Sequence, residues 1–253
     1  MPRALVPAVV LLATSVAAAR AAAAEPRAFT RTFGYSTSGA GETELELEST
    51  QTRSSFDDGS PQAFELRLAV EHGITDHTDV ALTHVLEQTT GNGTPGDPGA
   101  PLHLGEVALR TRHRFVERGE WPVDTTAYLE AGKLFGASVY HAEARAIAAR
   151  DLGLVTVAVN PRIAIEFGGD VAATEVQAGW AAGVTVEVAA ELRAGAETWG
   201  GFDVDAVDQV VAAAGPALSW TPTAAFWVTT TAGFGLNART EDLSVRALIG
   251  VLL

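Results

Sequence analysis

The sequence contains no cysteine, and its single lysine is Lys133. Without cysteine the chain cannot be a small scaffold held by disulfides, so its stability must come from buried apolar surface or from a bilayer. Acidic residues outnumber basic ones by 31 to 17, and the net charge of −14 argues against binding to nucleic acid. After residue 24 the chain has no apolar run of the roughly eighteen residues that a membrane helix needs.

The first 24 residues have the pattern of a secretory signal peptide. Arg3 supplies a positive charge, Ala4–Ala18 is almost wholly apolar, and Ala21–Ala24 offers small residues for cleavage before Glu25. The apolar run is too short to span a membrane. The segment therefore predicts export. The alternative is a cytosolic protein that begins with an alanine-rich helix.

Alternation of apolar and polar residues dominates the remaining chain. In GETELELEST (41–50), Leu45 and Leu47 lie on one face and glutamates on the other. AFELRLAVEHG (63–73) and VEVAAELRAGAE (186–197) repeat this alternation. A period of two over such lengths predicts strands long enough to cross a bilayer at a tilt. Twelve strands are expected, at about 42–53, 61–72, 77–89, 102–116, 122–134, 138–150, 154–166, 172–183, 186–199, 206–220, 224–236 and 242–253.

The connections between these predicted strands alternate in length. Short ones such as GITD (73–76) follow even-numbered strands, whereas SSFDDGS (54–60) and TGNGTPGDPGA (90–100) follow odd-numbered ones. Short periplasmic turns, longer outer loops and an even strand number are typical of bacterial transmembrane barrels. The sequence therefore predicts an all-β fold, a closed antiparallel barrel of about 12 strands over residues 41–253. Residues 25–40 would form an N-terminal lead-in, either periplasmic or tucked into the lumen.

In such a barrel the polar strand faces line the lumen. Three glutamates on the first strand need counter-charges, because like charges this close destabilise a strand. Arg67 on the second strand and Arg246 on the twelfth are placed to supply them. These side chains form either a charged constriction that selects solutes or a salt-bridge network that fills a narrow barrel. The candidate lumen residues are Glu44, Glu46, Glu48, Glu65, Arg67, Arg110, Arg112, Arg114 and Arg246.

Tryptophans near the ends of predicted strands suggest an interfacial belt. An indole ring favours the membrane–water interface, because the ring is apolar while its N–H group needs a hydrogen-bond partner. We expect this role for four residues, and the alternative is that they are ordinary sheet aromatics. They are Trp121, Trp199, Trp220 and Trp227.

Several stretches together resemble one family of Gram-negative outer-membrane barrels. They are ETELELE (42–48), ELRLAVEHGITDHTDVAL (65–82), GPALSWTPTAAFWVTTTAGFGL (215–236) and VRALIGVLL (245–253). Some members of that family are described as phenol-degradation meta-pathway outer-membrane transporters. The resemblance implies a monomer placed in the outer membrane by the barrel-assembly machinery, in contact with lipid and lipopolysaccharide. It also implies that small organic solutes pass through the barrel.

Enzymatic and metal-binding functions have less support in the sequence. An outer-membrane lipid hydrolase would need a serine and a third polar group near His84 or His113, and no such motif surrounds either residue. The histidines and aspartates of the 72–79 turn fit a solvated turn better than a metal site. We therefore expect no enzyme, no metal and no cofactor.

The leading functional hypothesis is passive or facilitated passage of small molecules through a narrow charged lumen. A plugged structural barrel without transport is one alternative. A soluble secreted β-sandwich or lipocalin-like binder is another, because it shares the alternation. The alternating loop lengths and the Glu/Arg ladders favour the membrane barrel over the soluble fold.

The assignment of faces leads to a first testable prediction. Leu66 lies near the middle of an apolar row that would face lipid. The Leu66→Arg substitution should lower the free energy of unfolding in a bilayer by about 2–4 kcal/mol, because it places a charge near the membrane midplane. A refolding titration in lipid vesicles measures this cost. A value near zero would reverse the assignment of the inner and outer faces.

Overall fold

The computed structural model describes residues 27–57, 60–90, 99–135, 139–169 and 174–253. The predicted signal peptide and residues 25–26 lie outside the described residues. No helix within the described ranges is long and apolar enough to span a membrane. The strands are β1 (Thr43–Arg53), β2 (Gln62–Thr75), β3 (Thr78–Thr90), β4 (His103–Arg114), β5 (Asp124–Leu134), β6 (Val139–Leu152), β7 (Val155–Phe167), β8 (Glu175–Ala189), β9 (Leu192–Asp203), β10 (Val211–Thr223), β11 (Phe226–Gly235) and β12 (Leu243–Leu252).

The twelve strands form one closed antiparallel barrel. Each strand pairs with its neighbours in sequence, and β1 pairs with β12 to close the sheet. The closing register runs from Glu44 opposite Leu252 to Arg53 opposite Leu243. The predicted fold, a closed antiparallel barrel of twelve strands, is confirmed.

The two faces of the strands differ in polarity, with apolar side chains pointing outward. On β2, Leu68 and Val70 are exposed, whereas Ala69 and Glu71, which alternate with them, are buried in the barrel interior. Leu109 on β4 is 60% exposed. An apolar surface around the whole barrel needs an apolar environment to cover it. The soluble alternative is therefore wrong, because a β-sandwich is not closed and a lipocalin-like barrel has the opposite polarity.

The barrel has two rims with different connections. One rim carries the β2–β3, β6–β7, β8–β9 and β10–β11 connections of two residues each and the longer 115–123 segment. We call this the short-turn rim. At the opposite rim, which we call the long-loop rim, consecutive strands are separated in the sequence by 54–61, 91–102, 135–138, 168–174, 204–210 and 236–242, of which 58–59, 91–98, 136–138 and 170–173 lie outside the described residues. The predicted alternation of loop length therefore holds, apart from the nine-residue segment between β4 and β5.

One strand was placed wrongly from the sequence. The stretch 186–197 was predicted as part of a single strand, but β8 ends at Ala189 and β9 begins at Leu192. The two residues between them form a tight turn, in which Glu191 has a φ of 64°. The alternation of apolar and polar residues continues across this turn without a glycine or proline, so the pattern gave no sign of a break.

Candidate functional site

The barrel interior contains the chain segment that precedes β1. Residues 27–40, which we call the inner segment, include two phenylalanines, Phe29 and Phe33, that are almost fully buried among strand side chains. Phe29 packs against Ala149 on β6 and Ala158 on β7. The sequence left open whether the N-terminal lead-in is periplasmic or lies in the lumen, and residues 27–40 lie in the lumen.

Glu197 on β9 holds the middle of the inner segment. Its carboxylate accepts hydrogen bonds from the backbone N–H groups of Thr30, Arg31 and Thr32 at 2.7, 2.8 and 2.9 Å. The hydroxyls of Thr30 and Thr231 donate to the same carboxylate at 3.0 and 2.6 Å. Because Glu197 is only 2% exposed, these donors replace the water that a carboxylate would otherwise require.

Asn160 on β7 makes a second anchor. Its side-chain oxygen accepts the backbone N–H of Phe33, and its side-chain amide donates to the Phe33 carbonyl at 3.1 Å. The Phe33 ring lies 5.1 Å from the Tyr128 ring and packs against Ile147. The amide of a buried asparagine thus pairs both backbone groups of one inner-segment residue, and the aromatic contact adds apolar burial.

Both ends of the inner segment are also attached to the wall. Arg27 forms an ion pair with Glu46 on β1 at 2.9 Å, and its carbonyl accepts hydrogen bonds from Ser219 and Thr229 at 2.7 and 2.6 Å. At the other end, Ser38 donates to Glu71, and Gly41 donates to the Gly73 carbonyl at the short-turn rim. The segment therefore crosses the interior from the β10–β11 wall to the β2–β3 turn.

The candidate lumen residues form a network of ion pairs inside the barrel. Arg110 on β4 pairs with Glu71 on β2 and lies 3.5 Å from Glu46 on β1. Arg112 pairs with Glu71 and, at 2.7 Å, with Asp79 on β3. All five of these side chains are less than a tenth exposed, so each charge is stabilised by its partners rather than by water.

The partners within this network differ in part from the predicted ones. Arg246 pairs with Glu48 as expected. Arg67 lies opposite Glu48 in the β1–β2 register, as expected. Its guanidinium also lies 3.6 Å from Glu65 and 3.8 Å from both Glu106 and Glu130, which were not expected as its partners. Glu46 is paired with Arg27 of the inner segment and with Arg110 on β4. The pairing with β4 is possible because the narrow barrel brings together strands that are not neighbours in the sheet.

Three candidate lumen residues have surroundings that differ from those of the central ion pairs. Arg114 is at the short-turn rim, where it binds Glu117 at 2.9 Å and the Asp76 carbonyl at 2.8 Å. Glu65 is partly exposed beside Arg67. Glu44 is buried and accepts a hydrogen bond from the indole N–H of Trp227 at 2.9 Å.

Two of the four predicted interfacial tryptophans are inside the barrel. Trp121 and Trp220 are 48% and 49% exposed on the outside. Trp227 is fully buried, and its ring lies over Gly250 on β12, where a side chain would clash with it. Trp199 likewise lies over Gly233 on β11 and is stacked under the Arg31 guanidinium at 4.3 Å. The interfacial prediction is wrong for Trp199 and Trp227, because both lie on the inward-facing alternation of their strands.

The inner segment leaves one cavity on each side. The long-loop cavity has a volume of about 530 Å³ and reaches Glu166, Gln177 and Thr240 towards the long-loop rim. The short-turn cavity has a volume of about 270 Å³ and reaches Arg118, Asp151, Thr156 and Arg193 towards the opposite rim. Arg27 lines both cavities. The inner segment is therefore the partition between two polar spaces.

Sequence reasoning missed the residues that hold the inner segment. Glu197 ends the stretch 186–197, whose alternation predicts only a strand, and Asn160 belongs to no recognisable motif. Asn160 is the one amide in the apolar stretch VTVAVNPRIAIEF (155–167), and it lies on the inward face. A lone buried amide in such a strand needs hydrogen-bond partners, which was the available signal.

Comparison with known proteins places the fold among outer-membrane barrels. No protein family and no curated protein sequence matches the chain. The barrel is similar to an outer membrane channel from Pseudomonas putida F1, with a TM-score of 0.65 and 13% identity, over 87% of this chain and 98% of that one. It is also similar to the NanC porin (TM-score 0.56, 11% identity, 83% of this chain and 100% of that one).

A third similar structure is the translocator domain of the autotransporter NalP from Neisseria meningitidis. Its TM-score is 0.55 at 12% identity, over 84% of this chain and 88% of that domain. At sequence identities this low, the structural similarity establishes a shared fold and nothing more specific. The broader part of the sequence resemblance, an outer-membrane type of β-barrel, is thus supported, whereas the phenol-degradation transporter family is not confirmed.

The anchoring by Glu197 gives a second prediction. The Glu197→Gln variant loses the charge that binds five donors, so the free energy of unfolding should fall by about 1–3 kcal/mol. The inner segment should also become sensitive to trypsin at Arg27 and Arg31. Limited proteolysis followed by mass spectrometry measures this sensitivity. The control is Glu187→Gln, because the Glu187 side chain is 41% exposed. Equal cleavage in both variants would contradict the anchoring role.

Proposed function

We propose that this chain is an outer-membrane channel for small water-soluble molecules, in which the inner segment restricts passage. The closed barrel, its apolar exterior and its likeness to outer-membrane barrels support this location. The predicted signal peptide, residues 1–24, would direct export, and the barrel-assembly machinery would insert the chain as a monomer among lipid and lipopolysaccharide.

The observation that carries the proposal is the pair of polar cavities separated by the inner segment. Each cavity extends towards a different rim, so a solute could enter from either side and would meet the same partition. Seven glutamates and seven arginines line the long-loop cavity. This balance suits small polar solutes, including organic acids, because charged groups of either sign find a partner there.

A plugged structural barrel is the second candidate function. It is favoured by the number of hydrogen bonds that Glu197 and Asn160 make to the inner segment. The lipid-hydrolase alternative has less support. His113 is exposed on the outer face, where its ring nitrogen is bonded to Thr78 and its ring contacts Phe115 edge-on, both of which are structural contacts.

A third prediction separates the channel from the plugged barrel. The Glu197→Gln/Asn160→Ala double variant removes both anchors of the inner segment. Its single-channel conductance in a planar bilayer should be higher than that of the unaltered barrel, because the partition between the cavities is released. The Glu187→Gln barrel is the control for a lost carboxylate. Heat-modifiable migration on a gel verifies that each barrel is folded.

The possible results discriminate between the two functions. Larger steps in the double variant support a channel narrowed by the inner segment. If neither the unaltered barrel nor the double variant shows any conductance although both are folded, the structural role is favoured. Large steps that are identical in both would show that the inner segment does not lie in the path of the ions.

A fourth prediction concerns the sign of the transported charge. In Glu48→Gln, Arg246 loses its paired carboxylate and the long-loop cavity gains one unit of positive charge. The permeability of anions relative to cations should therefore rise. The reversal potential under a potassium chloride gradient measures this ratio, with Glu187→Gln as the control. An unchanged ratio would place Glu48 outside the conducting path.

A further inference from the structure

Three strands bring a histidine and two carboxylates together in the wall of the long-loop cavity. Glu106 is on β4, Glu130 on β5 and His141 on β6. One ligand atom from each residue lies within 4.8 Å of the other two. The His141 Nε2 atom is 3.5 Å from the Oε1 atom of Glu106 and 3.6 Å from that of Glu130.

These separations match the spacing of ligands around a small divalent ion. Zinc binds imidazole nitrogen and carboxylate oxygen at about 2.0–2.2 Å in tetrahedral geometry, which places neighbouring ligand atoms roughly 3.4 Å apart. An ion between the three atoms would therefore need little movement of the side chains. The long-loop cavity adjoins all three residues and can supply a water molecule as the fourth ligand.

A buried oxygen in this cluster lacks a hydrogen-bond donor. Glu106 Oε1, the Glu106 atom nearest to His141, accepts no hydrogen bond from the described residues, although the Glu106 side chain is only 8% exposed. A buried carboxylate oxygen in this state is costly, and a cation is one way to satisfy it. Arg67 is 3.8 Å from each of the two carboxylates, near the limit of an ion pair, so it compensates their charge only partly.

The backbone of β5 makes room for the cluster. Gly132 lies opposite His141 on β6 and Ala108 on β4. A Cβ atom at position 132 would lie 2.9 Å from Glu106 Oε1 and would overlap the His141 ring. A glycine at this position therefore allows the imidazole and the carboxylate to approach one another.

We propose that Glu106, Glu130 and His141 form a binding site for a divalent transition-metal ion of the zinc type, entered from the long-loop cavity. The site uses neutral imidazole and two carboxylates, a ligand set that suits such ions better than calcium or magnesium. The inference does not depend on whether the barrel conducts, because binding alone defines it.

Cobalt(II) is a suitable probe, since it replaces zinc and absorbs visible light strongly in tetrahedral sites. The folded barrel, prepared without a histidine tag, is titrated with cobalt(II) in detergent, and zinc is then added as a competitor. We expect saturation at one ion per chain and displacement by zinc. The absence of saturable binding to the folded barrel would overturn the proposal.

Single variants test the ligands. His141→Gln, Glu106→Gln and Glu130→Gln should each weaken cobalt binding by at least about tenfold, since even residues behind a ligand alter affinity by that factor. His84→Gln is the matched control, because that histidine is exposed on the outer face. Binding by His141→Gln that equals binding by His84→Gln would also overturn the proposal.

A further variant should change affinity in the opposite direction. Arg67→Gln removes the positive charge near both carboxylates while leaving every proposed ligand in place. Cobalt should therefore bind more tightly to this variant than to the unaltered barrel. A purely structural ion-pair network predicts no such gain, so weaker binding by Arg67→Gln would count against a metal site.

Discussion

The pairing of β1 with β12 is the constraint on which the rest of the structure depends. This pairing removes the last free edges of the sheet, so every polar strand face turns towards one shared interior. The interior is narrow enough that Arg110 on β4 approaches Glu46 on β1 across strands that are not neighbours. Charges that would be solvated on an open sheet must therefore be satisfied by each other.

The inner segment completes this internal pairing. Arg27 supplies a counter-charge to Glu46, and the backbone of residues 30–32 supplies donors to Glu197. Free space remains where the wall is built from small residues, since Ala181, Gly201 and Ala213 line the long-loop cavity. The distribution of side-chain size around the barrel thus decides where a solute fits, while the distribution of charge decides what surrounds it.

The sequence was sufficient to predict the barrel architecture but not the contacts in the barrel interior. Alternation within strands depends on each strand alone, so it revealed the faces, the strand number and the inward position of Glu44. Contacts across the lumen depend on the register of the strands and on the position of the inner segment inside the barrel, and alternation encodes neither. Trp227 was assigned to the interface from its place near a strand end, although it lies on the inward face of β11, and the space for its ring comes from Gly250 on another strand. Glu106, Glu130 and His141 meet for the same reason, since no spacing motif joins three separate strands.

The anchoring of the inner segment limits how the barrel can open. If residues 30–32 left the interior, Glu197 would keep, among the described residues, only the Thr231 donor and would be a buried charge with most of its donors lost. Water entering the vacated space would replace the lost donors, and two polar cavities already adjoin the segment. The free energy of releasing the inner segment is therefore the difference between the hydrogen bonds lost to the protein and those gained with water. This difference is much smaller than the energy of the lost hydrogen bonds alone. A well-anchored partition and a barrel that conducts are thus physically compatible.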